Sequence, residues 1–257
     1  MCRNQRQSGD SAVSEREIQL RNEALGNTRV NVIIPTRNEE ENIARVIHEL
    51  RDMGYDDILV IDANSKDRTV EVAKTLGANV VIQQGTGKGA ALREAFVHEF
   101  VDGDIVVMMD ADGSMSAHEI PRFIRALRSG ADIVKGSRFL PSGGSDDLNM
   151  MRRIGNRMLL LVVNVLYGTS YTDLCYGFGA FTRNALTKLG PHLSATNFEI
   201  ETEICIKADK LKLKVVEVPS LELRRNGGKS NLSTFGDGFR ILREIIGELF
   251  KKSEPDA

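Results

Sequence analysis

The chain has 257 residues, of which 41% are hydrophobic and 27% are charged, as in ordinary globular proteins with a full core. Its 34 basic and 36 acidic residues give a net charge of -2, which excludes recruitment of nucleic acid or a membrane by an overall electric field. Its three widely spaced cysteines form no Cys-x-x-Cys pair, which argues against zinc or a disulfide framework and is typical of a reducing cytoplasm.

The first 28 residues are polar and lack the apolar core of a secretory signal. We predict that residues 1–28 form a mobile arm with a short helix around 14–24. The longest apolar stretch, residues 158–167, is too short to span a bilayer. The sequence therefore predicts a cytoplasmic protein that is at most peripheral on the inner face of the membrane.

Strand-like and helix-like segments alternate from residue 29 to residue 138. Short apolar, β-branched runs indicate the strands, and apolar residues at steps of three and four indicate the helices. Alternation of this kind with short loops predicts an α/β protein, a mostly parallel central sheet with helices on both faces. The predicted strands are 30–35, 57–61, 79–82, 105–109 and 132–135, and the predicted helices are 40–53, 67–76, 89–100 and 117–128.

The composition changes after residue 138, where a loop rich in Gly, Ser and Asp begins. We see no internal repeat and predict a single domain with two halves. Residues 29–138 are expected to bind a nucleotide, residues 139–252 to bind an acceptor, and residues 253–257 to form a tail. In the second half we predict helices at 149–167, 198–208 and 234–252 and strands at 177–182 and 214–218.

Asp110 and Asp112 follow five consecutive apolar residues, 105–109, which predict a buried central strand. Ligands of open α/β sheets bind at the carboxyl ends of such strands. Residues i and i+2 of an extended segment point the same way, so the two carboxylates can share one Mg²⁺ or Mn²⁺ ion with substrate phosphates. An isolated pair would more often be two solvated acids in a turn before Gly113, so the assignment depends on the other motifs.

Two further polar turns follow predicted strands at the same edge of the sheet. In 35–39, Thr36 or Asn38 could simply cap the next helix, and in 62–67, Ser65 or Asp67 could do the same. Three polar strand ends that converge on one crevice nevertheless indicate a binding site.

The glycine-rich segment 85–89 carries Lys88 between a strand and a helix, so its backbone N–H groups and this lysine could bind phosphate. The segment lacks the spacing of a P-loop. It satisfies a loose Gly-x-Gly-x-x-Ala dinucleotide pattern, but it follows the third strand rather than the first, which disfavours nicotinamide binding.

Taken in order, these motifs resemble those of the inverting family 2 glycosyltransferases of the GT-A fold, and most closely the dolichyl- or polyprenyl-phosphate mannosyltransferase-like branch. The resemblance covers residues 30–250, nearly the whole chain. It rests on Pro35-Thr-Arg-Asn-Glu39, Asp62-x-x-Ser65-x-Asp67-x-Thr69, Gly87-Lys88-Gly89, Asp110-x-Asp112, Lys135-Gly-Ser-Arg138, Asp173-x-x-x-Gly177-Phe178, Phe198-Glu-Ile-Glu201 and Arg224-Arg225…Gly228-x-Ser230.

The resemblance implies a metal-dependent transfer of a hexose from a nucleoside diphosphate sugar, GDP-mannose or UDP-glucose, to a polyprenyl phosphate. By the same resemblance, Asp110 and Asp112 hold the Mg²⁺ or Mn²⁺ ion, Lys88 approaches the diphosphate and Arg225 steadies the leaving group. The implied donor-binding residues are Pro35, Thr36, Arg37, Glu39, Asp62, Lys88, Asp110, Ala111, Asp112 and Arg225, with Glu39 and Asp62 at the nucleoside. The implied acceptor-binding residues are Arg138, Arg152 and Arg153, and the implied catalytic residues are Asp112, Arg138, Asp173 and Glu201.

Two positions depart from the family pattern, because Ala63 stands where an Asp is frequent and Ser114 where a Gln is frequent. A hydroxyl acceptor would also require a general base, whereas a phosphate acceptor is already anionic. No His stands at a motif, and Asp173, Glu199 and Glu201 are either bases or hydrogen-bonded scaffold. The shortage of an obvious base mildly favours the phosphate acceptor and leaves a hydroxyl of a glycan or small molecule open.

Two predicted apolar helices, 149–167 and 234–252, carry basic residues near their ends. A buried core or a homodimer seam is the simpler explanation, and a lipid-facing surface is the alternative. A sugar-1-phosphate nucleotidyltransferase would need a Gly-rich basic loop after the first strand, which 35–39 is not. A non-catalytic sugar-nucleotide binding module is disfavoured by the presence of both Asp110 and Asp112.

Overall fold

The computed structural model describes residues 28–225, 227 and 234–251, with side chains from 236 onward in the last segment, and the single positions 19, 23 and 26. Apart from positions 19, 23, 26 and 28, the predicted arm with its helix around 14–24 lies outside the described residues, as does the predicted tail.

The central feature is a seven-stranded sheet in the order β3-β2-β1-β4-β7-β5-β8. All neighbouring strands are parallel except β7, which runs antiparallel to both β4 and β5. The prediction of a mostly parallel sheet is therefore confirmed. The strands are β1 Val30–Thr36, β2 Ile58–Asp62, β3 Asn79–Ile82, β4 Ile105–Met108, β5 Ile133–Ser137, β7 Gly179–Thr182 and β8 Val215–Pro219, while β6 Gly144–Ser145 and β9 Leu221–Glu222 pair separately.

Helices cover both faces of the sheet, as the alternation of elements predicts. In β1, Val32 and Ile34 pack into one apolar cluster and Ile33 into the other, so the strand is apolar on both sides. The helices are α1 Ile43–Asp52, α2 Thr69–Thr75, α3 Lys88–Phe96, α4 Ile120–Arg128, α5 Met150–Tyr167, α6 Arg183–Leu189, α7 Ile200–Lys210 and α8 Thr234–Phe250. The sequence analysis did not predict α6, although α2, which has the same length of seven residues, was predicted.

One predicted helix start agrees with the structure, and one predicted cap does not. The Ser116 side chain accepts from the His118 N–H and opens a 3-10 turn before α4, close to the predicted start. The predicted capping of α1 by Thr36 or Asn38 is wrong, because the Asn38 side chain accepts instead from the Lys66 N–H, 2.8 Å away in the next polar turn. Asn38 therefore ties two strand ends together.

One side of α5 is packed and the other is exposed. Leu159 and Val163 join a third apolar cluster with Ile241 and Ile245 of α8, which confirms a core role for that side. The opposite side carries exposed apolar residues at steps of three and four, namely Met151, Ile154, Met158, Leu161 and Val165. We call these five residues the α5 stripe. Among the described residues, no helix combines the length and the apolar character that a membrane crossing requires.

Candidate active site

A cavity of about 530 Å³ opens at the carboxyl edge of the sheet and is lined by both halves of the domain. Parallel pairing aligns Thr36 at the end of β1 with Asp62 at the end of β2, and β4 delivers its acidic pair beside them. The predicted site residues that line the cavity are Pro35, Thr36, Arg37, Glu39, Lys88, Asp110, Ala111, Asp112, Arg138, Arg152, Glu201 and Arg225. Asp62, Arg153 and Asp173 are predicted site residues that do not line it.

Lys88, the first residue of α3, joins the donor motif to the second half of the chain. Its amine lies 2.6 Å from Asp110 Oδ1 and 2.7 Å from Glu201 Oε1. Burial alone would lower the pKa of Lys88, but the two carboxylates outweigh it and raise that pKa above its usual range. Lys88 is therefore a permanent cation in the cavity.

Glycines allow this lysine to approach. A Cβ on Gly177 would lie 2.7 Å from Lys88 Nζ, and a Cβ on Gly87, whose φ is +90°, would lie 2.3 Å from the Thr196 carbonyl oxygen. A larger residue at either position would displace the amine or its loop. The glycines of these two motifs are thus required by close contact.

Asp112 is held from two sides. Its Oδ1 accepts from the Ser114 N–H at 2.9 Å, and its Oδ2 accepts from Arg225 Nε at 3.1 Å. Arg225 also reaches Glu39, with 3.3 Å between Nη2 and Oε1. The guanidinium of Arg225 therefore bridges the acidic pair and the first polar turn.

Among the described residues, Glu39, Asp110, Asp112 and Glu201 form their ion pairs at this end of the cavity with Lys88 and Arg225, and Arg37 also lines the cavity. Burial raises the pKa of Asp110; Lys88 opposes that shift, whereas Asp112 and Glu201 add to it. Burial also raises the pKa of Glu39, against the stabilising contacts of Asn42 and Arg225. Paired carboxylates that lack a full set of counter-charges suit a hard divalent cation such as Mg²⁺ or Mn²⁺.

Asp62 lies beneath the cavity rather than in its wall. Its fully buried carboxylate accepts from Thr36 Oγ1 at 2.9 Å, from the Ser65 N–H at 2.7 Å and from Ser65 Oγ at 2.5 Å. The neighbouring Ala63 lines the cavity instead. The contacts of Asp62 organise the turn, and its nucleoside contact stays a prediction.

Arg138 is committed to two carboxylates. Its Nε and Nη2 donate to Asp173 at 2.7 and 2.9 Å, and its Nη1 lies 3.1 Å from both oxygens of Glu222. Its guanidinium also lies 4.8 Å from the Tyr176 ring. Burial alone would lower the pKa of Arg138, but Asp173 and Glu222 outweigh it and raise that pKa. This arginine therefore anchors the wall of the acceptor end.

The two other predicted acceptor arginines separate. Arg152 lines the cavity, whereas Arg153 is exposed and lies over the Phe139 ring at 5.6 Å. The start of α5 places consecutive residues about 100° apart around the helix, so only one of the pair can face inward.

The three predicted candidate bases all have partners. Asp173 is fully buried against Arg138, and Glu201 pairs with Lys88. Glu199 Oε1 accepts from the backbone N–H groups of Thr196 and Asn197. Asp173 and Glu201 are therefore held in ion pairs, and their catalytic roles stay predictions, whereas the buried Oε2 of Glu199 has no hydrogen-bond partner among the described residues.

Sequence reasoning missed Glu222 and Gln83, both of which line the cavity. Glu222 reaches Arg138 across 84 positions, so no local pattern marks it. Gln83 donates from Nε2 to the Gly85 carbonyl at 2.8 Å, while its buried Oε1 has no hydrogen-bond partner among the described residues. Its place directly after β3, at the active edge of the sheet, was the available signal.

Comparison with known proteins agrees with this geometry. The model of Glycosyl transferase family 2 matches residues 31–190, more than half of the chain. The chain is 37% identical to the glycosyltransferase AglJ of Haloferax volcanii, over 84% of this chain and 70% of that protein. It is 34% identical to the dolichol-phosphate mannosyltransferase of Pyrococcus furiosus, over 79% of this chain and 59% of that protein.

A third relative matches over most of its own length. This is the UDP-N-acetylglucosamine--dolichyl-phosphate N-acetylglucosaminyltransferase of Methanococcus voltae, at 29% identity over 84% of this chain and 94% of that protein.

Among solved structures, glucosyl-3-phosphoglycerate synthase of Mycobacterium tuberculosis, in complex with Mn²⁺, UDP and glucosyl-3-phosphoglycerate, superposes with a TM-score of 0.72. The match covers 93% of this chain and 85% of that chain at 23% identity, which establishes the shared fold. Because the family match spans the strands that carry the acidic pair and the polar turns, this chain belongs to glycosyl transferase family 2 and has the GT-A fold.

Proposed function

We propose that this glycosyltransferase moves a hexose from a nucleoside diphosphate sugar, GDP-mannose or UDP-glucose, to a polyprenyl phosphate, with inversion at the sugar. The observation that carries the proposal is the acidic pair Asp110 and Asp112, which faces a cavity shared by both halves and bordered by Lys88 and Arg225.

Asp110 and Asp112 would hold a Mg²⁺ or Mn²⁺ ion. When bound, that ion neutralises negative charge on the departing nucleoside diphosphate. Lys88 and Arg225 supply the chain's own positive charge to the same group, and both already lie within 3.1 Å of the acidic pair. A diphosphate at the acidic pair would therefore meet two fixed cations without a large rearrangement.

The nucleoside would extend from the acidic pair toward the ends of β1, β2 and β3. Three strand spacings separate β4 from β3, about 14 Å across the sheet, which is enough for a ribose and a base. Ala63 leaves space there, and the unpaired Oε1 of Gln83 offers a hydrogen-bond acceptor to the donor.

The partners of the candidate bases support an anionic acceptor. Asp173 and Glu201 are each paired with a cation, and Glu199, whose Oε2 has no hydrogen-bond partner among the described residues, does not line the cavity. A phosphate acceptor needs no base. Two of the relatives carry dolichol or dolichyl phosphate in their names, which agrees with this acceptor class.

A lipid acceptor places the enzyme at a membrane surface. The residues of the α5 stripe and Phe239 and Phe250 of α8 are exposed apolar side chains, and Arg153 and Arg157 are exposed on α5. Apolar side chains flanked by basic ones favour reversible binding to anionic lipid. We propose that the protein binds the cytoplasmic membrane face peripherally; a homodimer through the same surface is the competing outcome.

A hydroxyl acceptor is the second candidate. It is favoured by the pairing of Arg138 with two carboxylates, which leaves the acceptor end with little net positive charge.

Transfer from a panel of GDP- and UDP-sugars tests the proposal, with Mn²⁺, with Mg²⁺ and with excess EDTA. The acceptors are liposomes containing polyprenyl phosphate and, separately, soluble alcohols. We expect ion-dependent transfer to the lipid phosphate and a product of inverted anomeric configuration by NMR. Undiminished turnover in EDTA would overturn the metal assignment, and transfer to alcohols alone would establish the second candidate.

A further inference from the structure

Glu222 pairs with Nη1 of Arg138 and, unlike Asp173, lines the cavity. Both of its carboxylate oxygens lie 3.1 Å from Arg138 Nη1, and the Ser145 hydroxyl donates to its Oε2. Its side chain is 16% exposed, whereas that of Asp173 on the other edge is 0% exposed. The two carboxylates therefore differ: Asp173 is sealed beneath the arginine, and Glu222 lies at the cavity wall.

The hydrogen-bond geometry differs in the same sense. Asp173 accepts hydrogen bonds from Arg138 Nε and Nη2 through separate oxygens. This side-by-side arrangement makes arginine–carboxylate pairs strong. Glu222 places both oxygens on a single nitrogen, which is a poorer use of the fork. Exchange of Glu222 for another anion would thus break the weaker of the two contacts.

The charges around Arg138 also indicate Glu222 as the partner that an anion would displace. Arg138 with Asp173 is a neutral pair, and Glu222 adds a negative charge at the point where an anionic acceptor would approach. A phosphate cannot bind Arg138 Nη1 while that carboxylate remains, because like charges at contact distance repel strongly in a partly buried site.

We propose that Glu222 is a stand-in for the acceptor's anionic group: it holds the place at Arg138 Nη1 and Ser145 Oγ until a phosphate displaces it. This inference rests on the proposed phosphate acceptor and assigns to Glu222 the control of acceptor affinity. Acceptor binding breaks the Arg138–Glu222 ion pair, and the phosphate oxygens then take up the same two donors.

The substitution Glu222→Gln tests the inference, because the amide keeps the size of the side chain and an oxygen for Ser145 but loses the charge. We expect about tenfold tighter binding of a soluble short-chain prenyl phosphate by calorimetry, and a similar gain for inorganic phosphate, because a charged hydrogen bond at Arg138 is replaced by a neutral one. Asp146→Asn is the matched control: it makes the same charge change in the neighbouring loop, at an exposed side chain that does not line the cavity.

A merely structural Glu222 would give the opposite sign, since loss of an ion pair would loosen the wall and weaken binding. Weaker or unchanged phosphate binding in Glu222→Gln, with a melting temperature like that of the parent, would overturn the inference. Glu222→Ala should change binding in the same direction as Glu222→Gln. In transfer assays the Glu222→Gln substitution should lower the acceptor KM and leave the donor KM unchanged.

Two different results would distinguish a failure of the proposed function from a failure of the inference about Glu222. Tighter phosphate binding in Glu222→Gln without transfer to polyprenyl phosphate would support the anion site and refute the lipid acceptor. Efficient transfer to polyprenyl phosphate by the parent, with no change of acceptor KM in Glu222→Gln, would support the function and refute the role of Glu222.

Discussion

At the end of the cavity that carries the acidic pair, four carboxylates share Lys88 and Arg225 and line the cavity, whereas Asp173, the nearer partner of Arg138, does not line it. Asp110 and Glu39 carry raised pKa values because burial and neighbouring carboxylates oppose their ionisation. By contrast, Arg138 forms ion pairs with both Asp173 and Glu222.

A second ion-pair cluster lies at the end of α8 and does not line the cavity. Glu248 is fully buried there and pairs with Lys207, Lys210 and Lys251. This difference supports the proposal that the charges lining the cavity bind a ligand and that the charges outside it hold the structure. Charge removal should therefore affect activity in the first region and stability in the second.

The sharpest test of the donor half is Asp112→Asn. We expect turnover to fall by about 10³-fold, because the proposed ion would lose one of its two carboxylates. The melting temperature should stay within about 3 °C of the parent, the shift that roughly 1 kcal/mol produces in a protein of this size. A transfer assay and thermal unfolding measure the two effects, with the exposed Asp52→Asn as control.

Two arginines allow a matched comparison between the halves, since each contacts two carboxylates. Arg138→Ala should lower the free energy of unfolding by about 3–5 kcal/mol, because it leaves the fully buried Asp173 without its cation. Arg225→Ala, at a side chain 19% exposed against 4% for Arg138, should cost less stability than Arg138→Ala while reducing turnover. Urea unfolding and donor titration of both variants provide the measurement. Equal stability losses would abolish the distinction, and loss of donor affinity in Arg138→Ala would place that residue in the donor site.

The lowered pKa of Glu248 predicts that the stability of the fold depends on pH. Burial alone would raise the pKa of Glu248, but hydrogen bonds from the three lysines outweigh it and hold the pKa at about 2, below the usual 4.5. A lowered pKa stabilises the fold above pH 4.5, and that stabilisation is lost as the pH falls toward 2. Glu248→Gln should therefore be less stable than the parent by about 2 kcal/mol at pH 7, and the gap should narrow below pH 4.5. A gap independent of pH between 7 and 3 would contradict this account.

The smallest expected effect is on membrane binding by the α5 stripe, whose five residues are all apolar. Leu161→Glu should reduce co-sedimentation with anionic liposomes by about tenfold, because it places a charge in the apolar contact. Folding and transfer to a soluble prenyl phosphate should be unchanged. Thr187→Glu, at an exposed position of α6, is the control. A shift from dimer to monomer in Leu161→Glu, without any effect on liposome binding, would assign the stripe to a homodimer interface.

The donor half could be predicted from the sequence because its signals are local. Apolar runs such as 105–109 indicate strands, and parallel pairing then brings the residues after each strand to one edge. Asp110, Asp112, Lys88 and Glu39 line one cavity for that reason. The family resemblance added Arg225, whose contact with Asp112 spans 113 positions.

The acceptor half was decided by tertiary structure. Arg138 was predicted as a phosphate ligand, but the folding of β9 beside it supplies Glu222, and no pattern links positions 84 residues apart. Asp62 belongs to a donor motif, yet its hydrogen bonds to Thr36 and Ser65 place it beneath the cavity. For α5 the sequence determined an apolar helix, and packing against α8 decided which side is buried, because composition specifies how apolar a helix is and only its neighbours determine which face they cover.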